Sequence, residues 1–106
     1  MRKLALALVV ALALAAIGAT YALASTKTIT LKDNYFSKSS ITIHKGDRVN
    51  WRWSNTANRH NVFSRGHFKS RSGRSGNFTA RFTKRGTYSI ICTLHPAQMT
   101  MKVIVK

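Results

Sequence analysis

Three residues close to the C-terminus have side chains that bind soft metal ions: Cys92, His95 and Met99. A thiolate, an imidazole and a weak thioether are donors of copper electron-transfer sites, in which a second histidine completes the trigonal part of the coordination. His60 is the candidate for that second histidine. It lies upstream beside a strand-like segment that a β-sandwich can bring next to the loop after Cys92. The four residue types together favour a copper site.

Other roles for these residues are open on residue type alone. Cys92, His60 and His95 can hold zinc tetrahedrally, although zinc has no use for the thioether of Met99. A single buried cysteine is commonly a small apolar residue, and a methionine commonly fills a gap in a core. A lone histidine is commonly a surface residue. The combination at these spacings favours a metal site over separate, unrelated roles.

The N-terminal segment has the three-part layout of a secretory signal peptide. Arg2 and Lys3 precede an apolar run at residues 4–17, and the Ala-Leu-Ala triplet at 22–24 matches an A-x-A cleavage motif. We expect cleavage before Ser25. An uncleaved segment that serves as a membrane anchor is the alternative.

This leader divides the chain into a signal segment at residues 1–24, which we expect to be helical, and a single domain at residues 25–106. It predicts an exported protein of the periplasm or the cell surface. Exported domains of this size often depend on a disulfide or a metal for stability. Cys92 is the only cysteine in the chain, so it cannot form an internal disulfide. Burial, pairing between chains or metal binding would protect its thiol.

The domain consists of short apolar/polar alternations separated by turn-forming residues, which predicts an all-β sandwich or barrel. The clearest alternation places Val49, Trp51 and Trp53 on one face of a strand. The mature part has no apolar stripe of three helical turns. The predicted strands lie at residues 28–31, 41–43, 47–53, 78–83, 88–92 and 101–106.

Several short motifs follow one another in the order of a known family. They are Lys45-Gly46-Asp47, Val49-Asn50-Trp51, His60-Asn61-Val62, Gly86-Thr87-Tyr88 and Cys92-Thr93-Leu94-His95-Pro96 with Met99. Over essentially all of the mature part the chain thereby resembles the cupredoxins, the small blue copper proteins that include plastocyanin and amicyanin. The resemblance implies a Greek-key β-sandwich or barrel of about seven to eight strands and one type 1 copper ion. It also implies that the ligands of this ion are His60, Cys92, His95 and Met99.

The axial ligand has alternatives. Three residues separate His95 from Met99, a spacing between the shorter amicyanin-like and the longer plastocyanin-like loops. Position 101, where relatives often have glycine, is Met101, so Met101 and Gln98 are also candidates. Met99 is preferred, because this choice keeps Met101 on the core-facing side of the last strand.

The resemblance further implies a one-electron carrier. Asn61 is expected to link the two ligand segments by hydrogen bonding, although turn asparagines are often simply solvated. His95 is expected to be the electron port, with Leu94, Pro96 and Ala97 as an apolar rim. A copper-binding or copper-delivery module that does not shuttle electrons would use the same ligands. A metal-free basic binding domain is a third alternative.

The carboxylate content argues against an enzyme. The chain has only two acidic side chains, Asp33 and Asp47, so a carboxylate pair for acid–base catalysis is not expected. No nucleophile-elbow or phosphate-cradling motif is present in the sequence. The remaining histidines, His44 and His67, match no ligand position and are expected to be ordinary exposed residues. We expect no enzymatic activity.

The charge balance indicates the kind of partner. The chain has 18 Lys and Arg and a formal net charge of +16. Such a field attracts an acidic redox protein or an anionic membrane surface and speeds encounter with it. A solvated basic surface is the alternative. Nucleic acid is disfavoured by the export signal and by the lack of aromatic residues among the basic ones. We expect the domain to act as a monomer.

Overall fold

The computed structural model describes residues 23–106, and the predicted signal helix lies outside this range. Within it the chain forms nine β-strands and no helix. The strands are β1 (Thr26–Lys32), β2 (Tyr35–Phe36), β3 (Ser40–Ile43), β4 (Arg48–Trp53), β5 (Phe63–Ser64), β6 (Phe68–Lys69), β7 (Gly76–Arg81), β8 (Gly86–Ile91) and β9 (Thr100–Val105). No helix of residues 23–106 has the length and hydropathy needed to cross a bilayer.

The strands form two sheets. One has the order β2-β1-β4-β7 and the other the order β3-β9-β8-β5-β6. The pairs β1–β4 and β3–β9 are parallel, whereas the other pairs are antiparallel. The predicted all-β class is confirmed, with nine strands in the described residues against the seven to eight expected.

The core is built from the alternating positions that the sequence predicts. On β4, Val49, Trp51 and Trp53 are 0 %, 0 % and 5 % exposed, because successive side chains of a strand point to opposite faces. On the pairing strand β7, Phe78 lies opposite Trp51, and the two ring centroids are 6.1 Å apart. Phe68 contacts both rings from the other sheet. The two sheets therefore enclose one aromatic core.

Trp53, the last residue of β4, connects this core to the loops that hold the candidate ligands. Its indole N–H donates to the backbone carbonyl of Gly73 at 2.9 Å. The same carbonyl accepts the backbone N–H of His60 at 2.8 Å. Opposite Trp53, a Cβ at Gly76 would lie 2.2 Å from the indole ring, so the close approach of ring and backbone requires glycine there.

Asp47 joins the start of β1 to the turn before β4. Its Oδ1 accepts the backbone N–H of Ser25 at 2.9 Å, and its Oδ2 accepts the backbone N–H of His44 at 2.9 Å. These two bonds, that from Ser25 first, hold the pKa of the Asp47 carboxyl below its ordinary value of 3.8. The carboxylate thus fixes the N-terminal edge of the domain.

The Asp47→Asn variant is expected to unfold several degrees below wild type at neutral pH, because the amide removes the charge and leaves one backbone donor without an acceptor. A lowered folded-state pKa stabilises the native state fully above the ordinary pKa of 3.8. That contribution is lost as the pH falls through the lowered value. Thermal unfolding from neutral to strongly acidic pH should show a Tm difference that shrinks on acidification. A difference independent of pH would contradict this role of the charge.

Candidate metal centre

His60 lies in the segment between β4 and β5 and is fully buried. Two backbone hydrogen bonds pair it with Gly73, one from His60 N at 2.8 Å and one from Gly73 N at 3.0 Å. This isolated bridge fixes the position of the ligand segment independently of any metal. The side chain is therefore directed by the backbone of two adjacent loops.

Cys92 and His95 lie in the loop between β8 and β9, which is closed by its own backbone. The N–H of Cys92 donates to the carbonyl of Met99 at 3.0 Å, and the N–H of Met99 donates to the carbonyl of His95 at 2.9 Å. The N–H of His95 in turn donates to the carbonyl of Cys92 at 3.1 Å. These bonds hold all three predicted ligands of this loop in one compact turn.

The structure brings His60, Cys92 and His95 together. One side-chain donor atom from each lies within 4.8 Å of the other two. The Cys92 Sγ is 3.7 Å from the His95 Nδ1, and the imidazole centroids of His60 and His95 are 5.1 Å apart. The predicted approach of position 60 to position 92 is confirmed. Of the residues described, these are the His, Cys and acidic side chains that converge closely enough to hold a metal ion.

The donor atoms fit a copper ion chemically. His60 Nδ1 is buried and has no hydrogen-bond partner among the described residues, a state that costs free energy unless another group binds that atom. Cys92 is a buried free thiol. A thiolate and two neutral imidazoles form the strong trigonal ligand set of type 1 copper. The unpartnered nitrogen and the free sulfur both favour a bound metal.

Asn61 links the two ligand segments, as predicted. Its side-chain Nδ2 donates to Thr93 Oγ1 at 2.8 Å, and its Oδ1 accepts the backbone N–H of Thr93 at 2.8 Å. Asn61 Nδ2 also lies 3.2 Å from Ser72 Oγ. The asparagine is fully buried, so it is not a solvated turn residue. These bonds tie the residue after His60 to the residue after Cys92.

The two candidate axial methionines differ in their surroundings. Met99 is fully buried and closes the ligand loop through its backbone bonds to Cys92 and His95. Met101 points into the core from β9, where its Sδ accepts the indole N–H of Trp51 at 3.5 Å. The Met101 sulfur therefore already has a partner in the core.

Asp33 is a residue of this centre that the sequence did not reveal. It lies in the two-residue turn between β1 and β2, where Asn34 has a φ of 73°, a left-handed conformation that asparagine adopts more readily than most residues. Its Oδ1 is 3.0 Å from the His60 Nε2. Backbone N–H groups of Asn58 and Ala57, followed by His60, lower the pKa of the Asp33 carboxyl to about 2. Asp33 is thus an anion at neutral pH.

The other histidine of the cluster lies nearer to solvent. His95 is half-buried, and its neighbours Leu94, Pro96 and Ala97 are exposed, Leu94 by 48 %. His44 and His67 are exposed, and neither belongs to the cluster. Both are therefore placed as the sequence predicts.

A two-sheet β-sandwich with a His-Cys-His cluster, in which His60 and Cys92 are buried and His95 is half-buried, closed by a short Cys-x-x-His loop, defines a small copper-binding protein. The chain belongs to the cupredoxin-like domain family, whose model matches residues 4–105. In this family setting, His60, Cys92 and His95 form a potential type 1 copper site, and the cofactor is copper. The fold and the site are consistent with a copper-binding electron carrier.

Solved structures of the same fold support this assignment. A purple cupredoxin from Nitrosopumilus maritimus has a TM-score of 0.66 at 21% identity and matches 76% of this chain and 99% of its own. An oxidized amicyanin variant has a TM-score of 0.66 at 26% identity, over 76% of this chain and 82% of that one. Both matches thus span most of each chain.

A copper-containing nitrite reductase from Thermus scotoductus SA-01 shares the fold over a smaller part of its length. Its TM-score is 0.64 at 22% identity, and the match covers 82% of this chain but 23% of the reductase. The likeness therefore concerns the fold of one part of that enzyme. A search of curated proteins found no significant match.

Proposed function

We propose that this protein is an exported type 1 copper protein that transfers single electrons between redox partners and has no enzymatic activity of its own. The observation that supports this most is the convergence of His60, Cys92 and His95 from two distant segments within 4.8 Å. Copper, when bound, supplies reversible one-electron oxidation and reduction.

The ligands of the proposed site are His60 through Nδ1, Cys92 through Sγ, His95 through Nδ1 and Met99 as a weak axial thioether. The choice of Nδ1 follows for His60 because its Nε2 already bonds Asp33 at 3.0 Å. It follows for His95 because that nitrogen lies 3.7 Å from the sulfur of Cys92. Met99 is favoured over Met101, whose sulfur accepts a hydrogen bond in the core.

The protein contributes rigidity to electron transfer. The His60–Gly73 bridge, the Asn61–Thr93 bonds and the closed loop from Cys92 to Met99 hold the donor atoms in place by hydrogen bonds to other groups. Ligands that are fixed in this way move little when the charge at the site changes. A small rearrangement favours fast electron exchange.

The route to a partner passes through the exposed end of the ligand loop. His95 is half-buried, and exposed Leu94 and Pro96 lie on either side of it in the chain. A small apolar rim of this kind suits brief redox encounters, which bury little area. The partner would therefore dock over His95.

The basic surface favours an acidic redox protein as that partner. The net charge of +16 attracts anionic surfaces and raises the rate of encounter at low salt. An anionic membrane surface would be attracted by the same field. Electron transfer to an acidic partner should slow as ionic strength rises, because salt screens the attraction.

The segment at 1–24 is proposed to be a signal peptide that directs the domain to the periplasm or the cell surface. Cleavage before Ser25 is consistent with the fold. Ser25 is anchored by its N–H to Asp47 at 2.9 Å, while Leu23 is 90 % exposed. A chain that begins at Ser25 would present its α-ammonium to the Asp47 carboxylate.

Addition of Cu(II) to the purified domain at 25–106 tests the proposal. We expect an intense visible thiolate-to-copper band, a type 1 EPR signal and reversible one-electron reduction. A colourless site that binds only Cu(I) or zinc would instead support a copper-delivery module. If the domain takes up no copper at all, the remaining alternative is a metal-free basic binding domain.

A further inference from the structure

The Asp33 carboxylate contacts the proposed ligand His60 on the side opposite to its free nitrogen. We propose that Asp33 is a positioning residue that fixes the proton of the His60 ring on Nε2 and lowers the reduction potential of the copper site. The effect on the potential depends on the proposed function, whereas the effect on the ring proton does not.

The contact has a defined donor and acceptor. The Asp33 Oδ1 lies 3.0 Å from the His60 Nε2, and the His60 side chain is fully buried. A carboxylate only accepts hydrogen bonds, so the imidazole must donate from Nε2. In the neutral ring, Nδ1 then has the lone pair. This is the buried atom with no hydrogen-bond partner in the described part of the chain.

The backbone fixes the carboxylate before any metal binds. Asp33 Oδ2 accepts the N–H of Ala57 at 2.8 Å, and Oδ1 accepts the N–H of Asn58 at 3.0 Å. The two donors belong to the segment that leads into His60. Asp33 thus attaches the turn between β1 and β2 to the ligand segment by three bonds, and one of them orients the ring of His60. Metal-ligating histidines commonly rely on such a partner for tautomer and orientation.

The charge of Asp33 acts differently on the two oxidation states. Oxidised copper has one more positive charge than reduced copper, and a carboxylate hydrogen-bonded to a ligand stabilises the more positive state. The chain has a net charge of +16 and two acidic side chains. One of these two, Asp33, lies beside the proposed copper ligand His60. The resulting preference for Cu(II) means a lower potential.

The second acidic side chain provides a matched control. Asp47 also accepts two backbone N–H groups, those of Ser25 and His44. Neither group belongs to the cluster of candidate ligands. The variants Asp33→Asn and Asp47→Asn therefore remove the same charge from the same kind of backbone-bonded carboxylate, and only one of them touches the site.

The experiment compares the midpoint potentials of copper-loaded wild type, Asp33→Asn, Asp33→Glu and Asp47→Asn at fixed pH and ionic strength. We expect Asp33→Asn to raise the midpoint potential by about 59 mV. For one electron, this shift corresponds to about a tenfold change in the ratio of the Cu(II) and Cu(I) affinities. Asp47→Asn should change it by much less, and Asp33→Glu, which keeps the charge, should lie closer to wild type than Asp33→Asn. Equal shifts for the two asparagine variants would show a net-charge effect and overturn the proposal.

The ring proton gives a readout that needs neither a variant nor copper. Nitrogen-15 NMR of the metal-free wild type at a pH where His60 is neutral should show a proton on Nε2 and none on Nδ1. A proton on Nδ1 would overturn the proposal even if the Asp33 variants fail to fold. If wild type shows the expected tautomer but never forms a coloured copper site, the proposed function fails and the positioning role does not.

Discussion

Replacing Cys92 with serine is expected to abolish the visible absorption of the copper-loaded domain. The band arises from charge transfer between a thiolate and copper, and a serine hydroxyl cannot supply the soft, strongly bonded sulfur of this ligand set. Cys92 is fully buried, and its sulfur is 3.7 Å from the His95 Nδ1. It is the only cysteine in the chain, so no other thiol can replace it as a ligand. Absorption and EPR spectra after Cu(II) addition measure the effect.

A matched variant separates this loss of colour from general destabilisation. Val103 is fully buried on β9, and Val103→Thr introduces a buried hydroxyl with little change in shape but outside the ligand set. We expect Val103→Thr to lower the Tm and keep the blue colour. If Cys92→Ser retained an intense visible band, the sulfur would not be a copper ligand and the account would be wrong.

The axial position is expected to control the reduction potential more than the binding of copper. Met99→Gln should retain copper and change the potential by about 59 mV or more, the equivalent of at least a tenfold change in relative affinity for the two oxidation states. Met99→Leu should also keep the three strong ligands. Cyclic voltammetry and EPR of the two copper-loaded variants measure these changes.

Met101→Leu is the control for the axial assignment. The substitution nearly conserves volume, but it removes the acceptor of the buried Trp51 indole N–H at 3.5 Å, so we expect it to destabilise the domain by about 1–3 kcal/mol. Its spectrum and potential should match wild type. If Met101→Leu alters the spectrum and Met99→Leu does not, the axial ligand is Met101 instead.

The sequence predicts the strands whose side chains alternate over several residues. The buried faces of β4 and β9 follow from period-two patterns that include Trp51 and Val103. The two-residue strands β2, β5 and β6 are too short to show any period. The parallel pairing of β1 with β4 and of β3 with β9 depends on how the sheets assemble, which local patterns do not encode.

The candidate site likewise includes contacts that the sequence predicts and contacts that it does not. Cys92 and His95 are three residues apart, so their contact follows from one short loop. His60 is distant in sequence, and its assignment needed the cupredoxin resemblance and the strand order. Asp33 lies 27 residues from its partner His60 at the tip of a hairpin. Its contact results from the packing of one turn against another loop, for which the sequence gives no signal.

X-ray absorption at the copper edge tests the central claim most directly, when wild type is compared with His60→Ala. The account predicts one short sulfur and two imidazole nitrogens around copper in wild type, and one imidazole fewer in the variant. Two imidazoles retained after removal of His60, or no short sulfur in wild type, would contradict it.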